Sequence, residues 1–120
     1  MSSPIQDVVK KSEILPSSLG TSEDMFILFH KEKCPYCIKM MGEFEKACSD
    51  VQNDPGKRKD IRRCEYSVIG EKPYGIKTFP ALVRVYKKKD GNFYSIRYDK
   101  DSLPRTHRSL SSILTSTRPS

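Results

Sequence analysis

The sequence of 120 residues has no tryptophan, two histidines, four cysteines and no long uninterrupted run of apolar residues. A bilayer-crossing helix needs ~18 or more consecutive apolar residues, so we expect no membrane-spanning segment. The beginning of the chain lacks the apolar stretch of a secretory signal, and its end is not a retention sequence for the endoplasmic reticulum. If the chain is complete, these absences favour a reducing compartment, the cytoplasm.

The four cysteines form one close pair, Cys34 and Cys37, and two isolated residues, Cys48 and Cys64. A zinc or iron–sulfur site normally adds a second close pair, which the chain lacks. We therefore expect neither a bound metal nor another cofactor, with half of a metal site as the alternative interpretation. Cys48 and Cys64 are predicted to be buried free thiols, and a disulfide between them is the alternative.

Positive charge exceeds negative charge, with 22 lysines and arginines against 15 acidic residues and a net charge of +7. The basic residues concentrate at 57–59, 62–63 and 87–89. No nucleic-acid-binding motif accompanies them, so we expect no nucleic-acid partner. Solvated surface is the simplest interpretation, and attraction to acidic partners is the alternative. The length fits one domain that needs no disulfide to fold, and we expect a monomer.

Residues 1–24 are predicted to form a short helix and a loop within that domain. Ser3 as the helix cap and Pro4 at the first position mark its beginning. Its buried side would be Ile5, Val8 and Val9. The apolar run that follows, residues 25–29, is typical of a strand buried on both faces of a sheet.

Apolar residues at helical spacing follow the cysteine pair and predict an amphipathic helix; they are Cys37, Met41, Phe44, Cys48 and Val51. A second strand is predicted over 61–66. Strands over 81–87 and 92–98 flank Asp90-Gly91, a dipeptide typical of two-residue hairpin loops. Ser102 is predicted to cap a last helix with Pro104 in its first turn and with an apolar side of Leu103, His107, Leu110 and Leu114.

This order of elements predicts an α/β three-layer sandwich with a mixed sheet of four to five strands and helices on both faces. The domain would span residues 25–115, followed by a tail over 116–120. Within it, the cysteine pair opens the long helix. Unsatisfied N–H groups and the helix dipole would stabilise a thiolate on Cys34, and Pro35 suits the first helical position. Cys37, one turn further, would be shielded, with a raised pKa.

The two thiols therefore differ in the way that disulfide exchange requires. Cys34 is predicted to be the nucleophile that attacks a disulfide, and Cys37 the resolving thiol that releases the product. This cycle needs no cofactor.

The stretch 26–37 resembles the strand, loop and helix of the thioredoxin superfamily, and its Cys34-Pro35-Tyr36-Cys37 is the glutaredoxin version of the motif. Residues 74–82 resemble the segment around the cis-proline of that superfamily. The resemblance implies a thioredoxin-like fold with a cis bond between Phe79 and Pro80. It also implies that Pro80 packs against the dithiol and that Thr78 and the Phe79 backbone bind substrate as an added strand.

The resemblance does not point to one branch of the superfamily. Lys31 matches a glutaredoxin position that contacts a carboxylate of glutathione, but the Gly-Gly and acidic pair of glutaredoxins is missing. Chain length and the segment before Pro80 are more similar to thioredoxin or a disulfide-isomerase domain. Those branches carry Trp where this chain has Lys33 and a buried acid where it has Leu28. Short divergent members of this kind occur in large DNA viruses, which would place the protein in the host cytosol or the virion.

The sequence thus predicts a thiol–disulfide oxidoreductase that reduces disulfides of proteins or small molecules, with an electron donor that the sequence does not identify. Two alternatives stay open. One is a protein-interaction module with this fold and marginal redox activity. The other is a glutathione-dependent glutaredoxin, with glutathione as co-substrate.

Overall fold

A computed structural model of the protein describes residues 5–120 and centres on a five-stranded mixed sheet of order β1-β3-β2-β4-β5. The strands are β1 (Gln6–Asp7), β2 (Asp24–His30), β3 (Asp60–Glu65), β4 (Ala81–Lys87) and β5 (Phe93–Asp99). The helices are α1 (Pro35–Gln52), α2 (Tyr66–Ile69) and α3 (His107–Leu114). Strand β3 runs parallel to β1 and β2, whereas β4 is antiparallel to β2 and β5. The predicted mixed α/β architecture is confirmed.

Strand β2 lies in the middle of the sheet and is buried on both faces, as its apolar run predicts. Alternation along the strand places Phe26 and Leu28 in a core shared with α1 and α3. The intervening residues of β2 contribute to a second core, closed by residues of the N-terminal segment and by Ile69 of α2. The sheet therefore separates two apolar cores, one on each of its faces.

Helix α1 has the predicted apolar face with one adjustment. Cys37, Phe44, Cys48 and Val51 are buried, and Met40 takes the buried position predicted for Met41, which is partly exposed. Both residues lie at helical spacing from Phe44, so the sequence pattern alone does not separate them.

Cys48 and Cys64 are both fully buried, as predicted, but they belong to different cores. Cys48 lies in the core between the sheet and α1. Cys64, on β3, faces the opposite core. The sheet between them excludes the alternative of a disulfide, and all four cysteines are free thiols.

The predicted N-terminal helix is wrong for the described residues; its cap and first position, Ser3 and Pro4, lie outside them. Gln6 and Asp7 form strand β1, and the Asp7 carboxylate accepts a hydrogen bond of 2.7 Å from Arg63 of β3. Two short 3-10 turns follow over residues 11–14 and 16–18. Val9 follows this strand and is 75% exposed instead of buried, whereas Ile5 and Val8 are buried as predicted.

The last helix begins later than predicted. Ser102 ends a 3-10 turn, and its hydroxyl bonds back to Asp99. Helix α3 is capped by Thr106, whose side-chain oxygen accepts from the Ser109 N–H. Its first residue, His107, is not on the apolar side: its ring and backbone N–H bond the Glu43 carboxylate. The other three predicted apolar residues, Leu103, Leu110 and Leu114, are buried.

The hairpin between β4 and β5 forms at the predicted dipeptide, but its loop has three residues, 89–91, instead of two. The Lys88 N–H donates to the Asn92 carbonyl, and the Gly91 N–H donates to the Lys88 carbonyl, each at 3.0 Å. Gly91 adopts φ +83°, a left-handed conformation that glycine accommodates best.

Two buried arginines tie the terminal segments to the sheet. Arg84 pairs with Asp24 through two hydrogen bonds of 2.9 and 2.7 Å and also donates to the Ser116 carbonyl. Arg62 pairs with Asp60 and donates to backbone carbonyls of the N-terminal segment. None of the helices within residues 5–120 combines the length and the apolar composition that a membrane crossing would demand.

Candidate active site

The cysteine pair lies where β2 gives way to α1. The chain leaves the sheet after His30, and Lys33 adopts φ +59° just before the helix. Cys34 is the N-cap of α1 in an extended conformation, and Pro35 occupies the first helical turn. Both positions are confirmed. The left-handed conformation of Lys33 thus turns the chain between β2 and α1, and Cys34 lies at the N-terminus of the helix.

The two sulfurs differ in their surroundings. The Cys34 Sγ is partly exposed and accepts a hydrogen bond of 3.3 Å from the Cys37 backbone N–H. The Cys37 side chain is 3% exposed, and its Sγ accepts from the Lys31 N–H at 3.5 Å. The Cys34 residue is therefore partly accessible to solvent, whereas Cys37 is buried.

Burial is the largest cause and the interactions with the Cys34 side chain are the next; together they raise the pKa of the Cys37 thiol to about 12. The Lys31 N–H and the Lys31 charge act in the opposite direction. No carboxylate contributes to this shift. At the position where the resemblance calls for a buried acid, Leu28 is fully buried among apolar residues. Among residues 5–120, no carboxylate is therefore placed to act as a base for Cys37.

The segment before β4 meets the dithiol. The Phe79–Pro80 bond is cis, as the resemblance implied, and the Phe79 carbonyl oxygen lies 4.0 Å from the Cys34 Sγ. The Phe79 ring packs edge-on against Tyr66 at 5.3 Å between centroids. Two distant stretches of the sequence, 34–37 and 79–80, are thus brought together.

A cavity of about 440 Å³ adjoins this junction. Four predicted site residues line it: Tyr36, Thr78, Phe79 and Pro80. Four others were not predicted to belong to the site, namely Met40, Lys100, Leu103 and Arg105. The last three come from the segment that joins β5 to α3, and no motif in that segment marked it as part of the site.

Lys31, the predicted contact for a glutathione carboxylate, does not line the cavity. Its side chain is exposed, and its Nζ lies 5.8 Å from the centroid of the Tyr66 ring. Its contact with the dithiol is made by the backbone, through the N–H that reaches the Cys37 sulfur.

Glu65 is a further residue of the site region that sequence reasoning missed. Its carboxylate accepts from the Glu32 N–H at 3.0 Å and from the Ser67 N–H at 2.6 Å, so it caps α2 and ties the loop before Cys34 to the end of β3. The Ser67 hydroxyl, followed by these N–H groups, lowers the pKa of Glu65. A lone acidic residue at a strand end carries no signal for such a role.

Within the described part of the chain, no group of three or more His, Cys, Asp or Glu side chains is placed to hold a metal ion. Cys48 lies in the core beneath α1 and Cys64 in the opposite core, so neither can complete a ligand set with the dithiol.

A mixed sheet with this strand order, a Cys-x-x-Cys pair at the start of α1 and a cis-proline before β4 together define a thioredoxin fold. No protein-family model matches the chain, and no curated protein matches it in sequence. Solved structures do match. A thioredoxin of Trichomonas vaginalis aligns with a TM-score of 0.69 at 14% identity, covering 94% of this chain and 96% of that one.

Two domains of larger proteins are similar to the same degree. The first thioredoxin domain of mouse protein disulfide-isomerase A4 aligns with a TM-score of 0.69 at 12% identity over 98% of this chain and 82% of that one. The J-Trx1 fragment of ERdj5 has the same TM-score at 16% identity; 92% of this chain aligns, spanning about half, 49%, of that fragment. The chain therefore has a thioredoxin fold.

Proposed function

We propose that the protein is a thiol–disulfide oxidoreductase that reduces disulfides of proteins or small molecules through Cys34 and Cys37. One observation carries the proposal: the partly exposed Cys34, at the N-terminus of α1, accepts a hydrogen bond at its sulfur from the N–H of Cys37, whose own side chain is buried. An N–H group and the helix dipole at this place stabilise negative charge on sulfur.

The reaction proceeds in two exchanges. The Cys34 thiolate attacks one sulfur of the substrate disulfide, forms a mixed disulfide and releases the other substrate sulfur as a thiolate, which takes a proton from water. Cys37 then loses its proton and attacks the Cys34 Sγ, which forms the Cys34–Cys37 disulfide and releases the second substrate thiol. The substrate gains two electrons, which the two protein sulfurs lose. The two protons it takes up balance the one that Cys34 gave to water on ionising and the one that Cys37 loses.

The segment before β4 supplies the substrate contacts in this proposal. Phe79 lies just outside the β4 ladder, and within residues 5–120 its N–H donates no hydrogen bond. An extended substrate segment can therefore pair with the Phe79 backbone beside the attacking sulfur. Thr78 and Pro80 line the adjoining cavity, and Tyr36 forms part of its wall.

Regeneration of the dithiol requires an external thiol donor of either the glutathione or the dithiol-protein class. Glutathione is the less favoured donor in this proposal, because Lys31 extends over Tyr66 and away from the cavity. The cycle itself uses no metal or organic cofactor, and one copy of the chain contains all its groups.

The test is reduction of a peptide disulfide by the pre-reduced protein, followed by mass spectrometry. We expect Cys34→Ser to abolish reduction. Cys37→Ser should complete the first exchange and accumulate the mixed disulfide. Cys48→Ala is the matched control, because it removes a cysteine that lies in the core under α1. Equal reduction by the wild type and Cys34→Ser would refute the proposal.

A second candidate function is a protein-interaction module in which the dithiol turns over poorly. The raised pKa of Cys37 favours this candidate, and so does the apolar Leu28 at the position where the resemblance calls for a buried acid, because both slow the resolving step. Persistent mixed disulfides with the wild-type protein, released no faster than from Cys37→Ser, would support the interaction module over the reductase.

A further inference from the structure

The cavity beside Pro80 has a charge distribution that the dithiol chemistry does not require. Lys100 and Arg105 line it, and no acidic residue does. Neither side chain forms an ion pair or a hydrogen bond with another residue of the described chain, and both residues are exposed. Of the neighbouring acids, Asp99 pairs with Arg97 at 3.4 Å and lies outside the cavity lining. Two unpaired cations thus border a cavity next to the attacking sulfur.

The remaining wall is largely apolar. Met40 and Leu103 are buried, Phe79 is half-buried, and the exposed Tyr36 contributes its ring. An occupant that satisfies both features carries a carboxylate for the cations and an apolar group for this wall. The volume of about 440 Å³ accommodates side chains of more than one residue.

We propose that this cavity selects the substrate, and that it binds an acidic side chain next to an apolar one in the protein segment that carries the target cysteine. The proposal rests on the oxidoreductase function and names its substrate class: disulfide proteins with an acidic residue within a few positions of the cysteine. Lys100 and Arg105 are then specificity residues that do not touch the reacting sulfurs.

A protein segment fits these features better than glutathione does. Glutathione carries an ammonium group as well as two carboxylates, and no carboxylate in the cavity lining receives the ammonium. An extended segment paired with the Phe79 backbone runs directly past the cavity, since Phe79 contributes both to the cavity wall and to the contact with Cys34. Its side chains on one face, every second residue, would enter the cavity.

The experiment uses peptides activated as 2-pyridyl disulfides, whose leaving group is uncharged, so that release of pyridine-2-thione reports attack by Cys34. The peptides differ only in Glu, Gln or Lys at each of the four positions on either side of the cysteine. At low salt we expect Glu to react roughly three- to tenfold faster than Lys at one or two positions, an effect of the size of one or two exposed ion pairs. Added salt should shrink the ratio.

The double variant Lys100→Glu and Arg105→Glu should reverse this preference, so that the Lys peptide reacts faster than the Glu peptide. Lys88→Glu with Lys89→Glu is the matched control, because it makes the same change in net charge at a distant place. These residues follow the end of β4, whereas Pro80 precedes its beginning. The control variant should retain the wild-type preference.

Equal rates for Glu and Lys peptides, or a preference that the control variant also abolishes, would overturn the proposal. Failure of the oxidoreductase function at the second exchange leaves this test intact, because pyridine-2-thione is released in the first exchange. Failure at the first exchange looks different, because then no peptide reacts, the Gln peptide included. In that case, fluorescence anisotropy with labelled peptides that carry Ser in place of Cys still tests the cavity. The proposal is supported if the Glu peptide binds more tightly than the other two and if the double variant Lys100→Glu with Arg105→Glu removes this difference. Equal binding of all three peptides would reject the proposal.

Discussion

The buried position of Cys37 predicts that the second exchange, and not the first, limits turnover at neutral pH. The perturbation that tests this is pH, applied to the mixed disulfide between Cys34 and a peptide. Cys37 must lose its proton before it attacks, and burial raises its pKa to about 12 from an ordinary value of 9.0. The first exchange does not depend on Cys37 ionisation, so the two steps should respond differently to pH.

The size of the effect follows from that difference of three pKa units. Near pH 7 the fraction of Cys37 present as thiolate falls about a thousandfold relative to an ordinary thiol. A more basic thiolate is also a better nucleophile, and a Brønsted coefficient of ~0.4–0.5 recovers about fifteen- to thirtyfold. The net result is an attack about thirty- to sixtyfold slower. This is an upper bound, because the contribution of the Cys34 side chain disappears in the mixed disulfide, while burial, the largest cause, persists.

The assay is release of a fluorescent peptide from the mixed disulfide, followed between about pH 6 and pH 9. We expect the rate to rise close to tenfold per pH unit without a plateau, and Cys37→Ser to release no peptide. Lys31→Gln should slow release, because the Lys31 charge lowers the pKa of Cys37. Lys39→Gln, an exposed change on α1, is its control. A plateau below pH 9 would refute the reasoning, since it would place the Cys37 pKa near that of a free thiol.

Three further predictions concern reactivity and stability. In the native state at pH 7, iodoacetamide should label Cys34 alone, because the other three cysteines are buried with raised pKa values, and mass spectrometry after denaturation should then show all four labelled. Asp24→Ala should lower the free energy of unfolding in urea by about 3–5 kcal/mol, since it leaves the buried Arg84 charge without its partner. The double variant Asp24→Leu with Arg84→Met should recover most of the lost free energy of unfolding. If it does not, the ion-pair explanation is contradicted. Thr106→Ala should cost about 1 kcal/mol by removing the cap of α3, whereas Thr106→Ser should cost little.

The central elements could be predicted from the sequence because local pattern and tertiary environment agree there. The apolar side chains of β2 can all be buried only if a core lies on each face of the strand. The spacing of Cys37, Phe44 and Val51 fits only a helix that packs on one of these cores. The placement of Cys34 and Pro35 follows from the chemistry of helix beginnings, which involves neighbouring residues alone.

The N-terminal segment was predicted wrongly because its structure depends on a distant strand. Ser3, Pro4 and Gln6 have the local features of a helix start, but Gln6 and Asp7 pair with Arg62 and Arg63 of β3. A strand of two residues is too short to show alternation. The ion pair between Asp7 and Arg63 adds a contact that no local pattern reveals.

The candidate site divides in the same way. Motif spacing identified Cys34 and Cys37, and a resemblance identified Pro80 and its neighbours. Lys100 and Arg105 had no such signal, because they reach the cavity through the turn after β5, where Lys100 adopts φ +48°. Their role depends on how the chain returns from the sheet edge to α3, which composition and periodicity do not encode.

The separation of Cys48 from Cys64 by the sheet has a consequence for oxidative stress. These two thiols cannot form a disulfide with each other, and neither can reach the sulfurs at the start of α1. Oxidation that begins at Cys34 therefore cannot pass to a second disulfide within the chain. By forming disulfides, each molecule can therefore donate two electrons, those of the Cys34–Cys37 dithiol. Titration with a mild oxidant should end at one disulfide per chain, with two thiols still countable after unfolding.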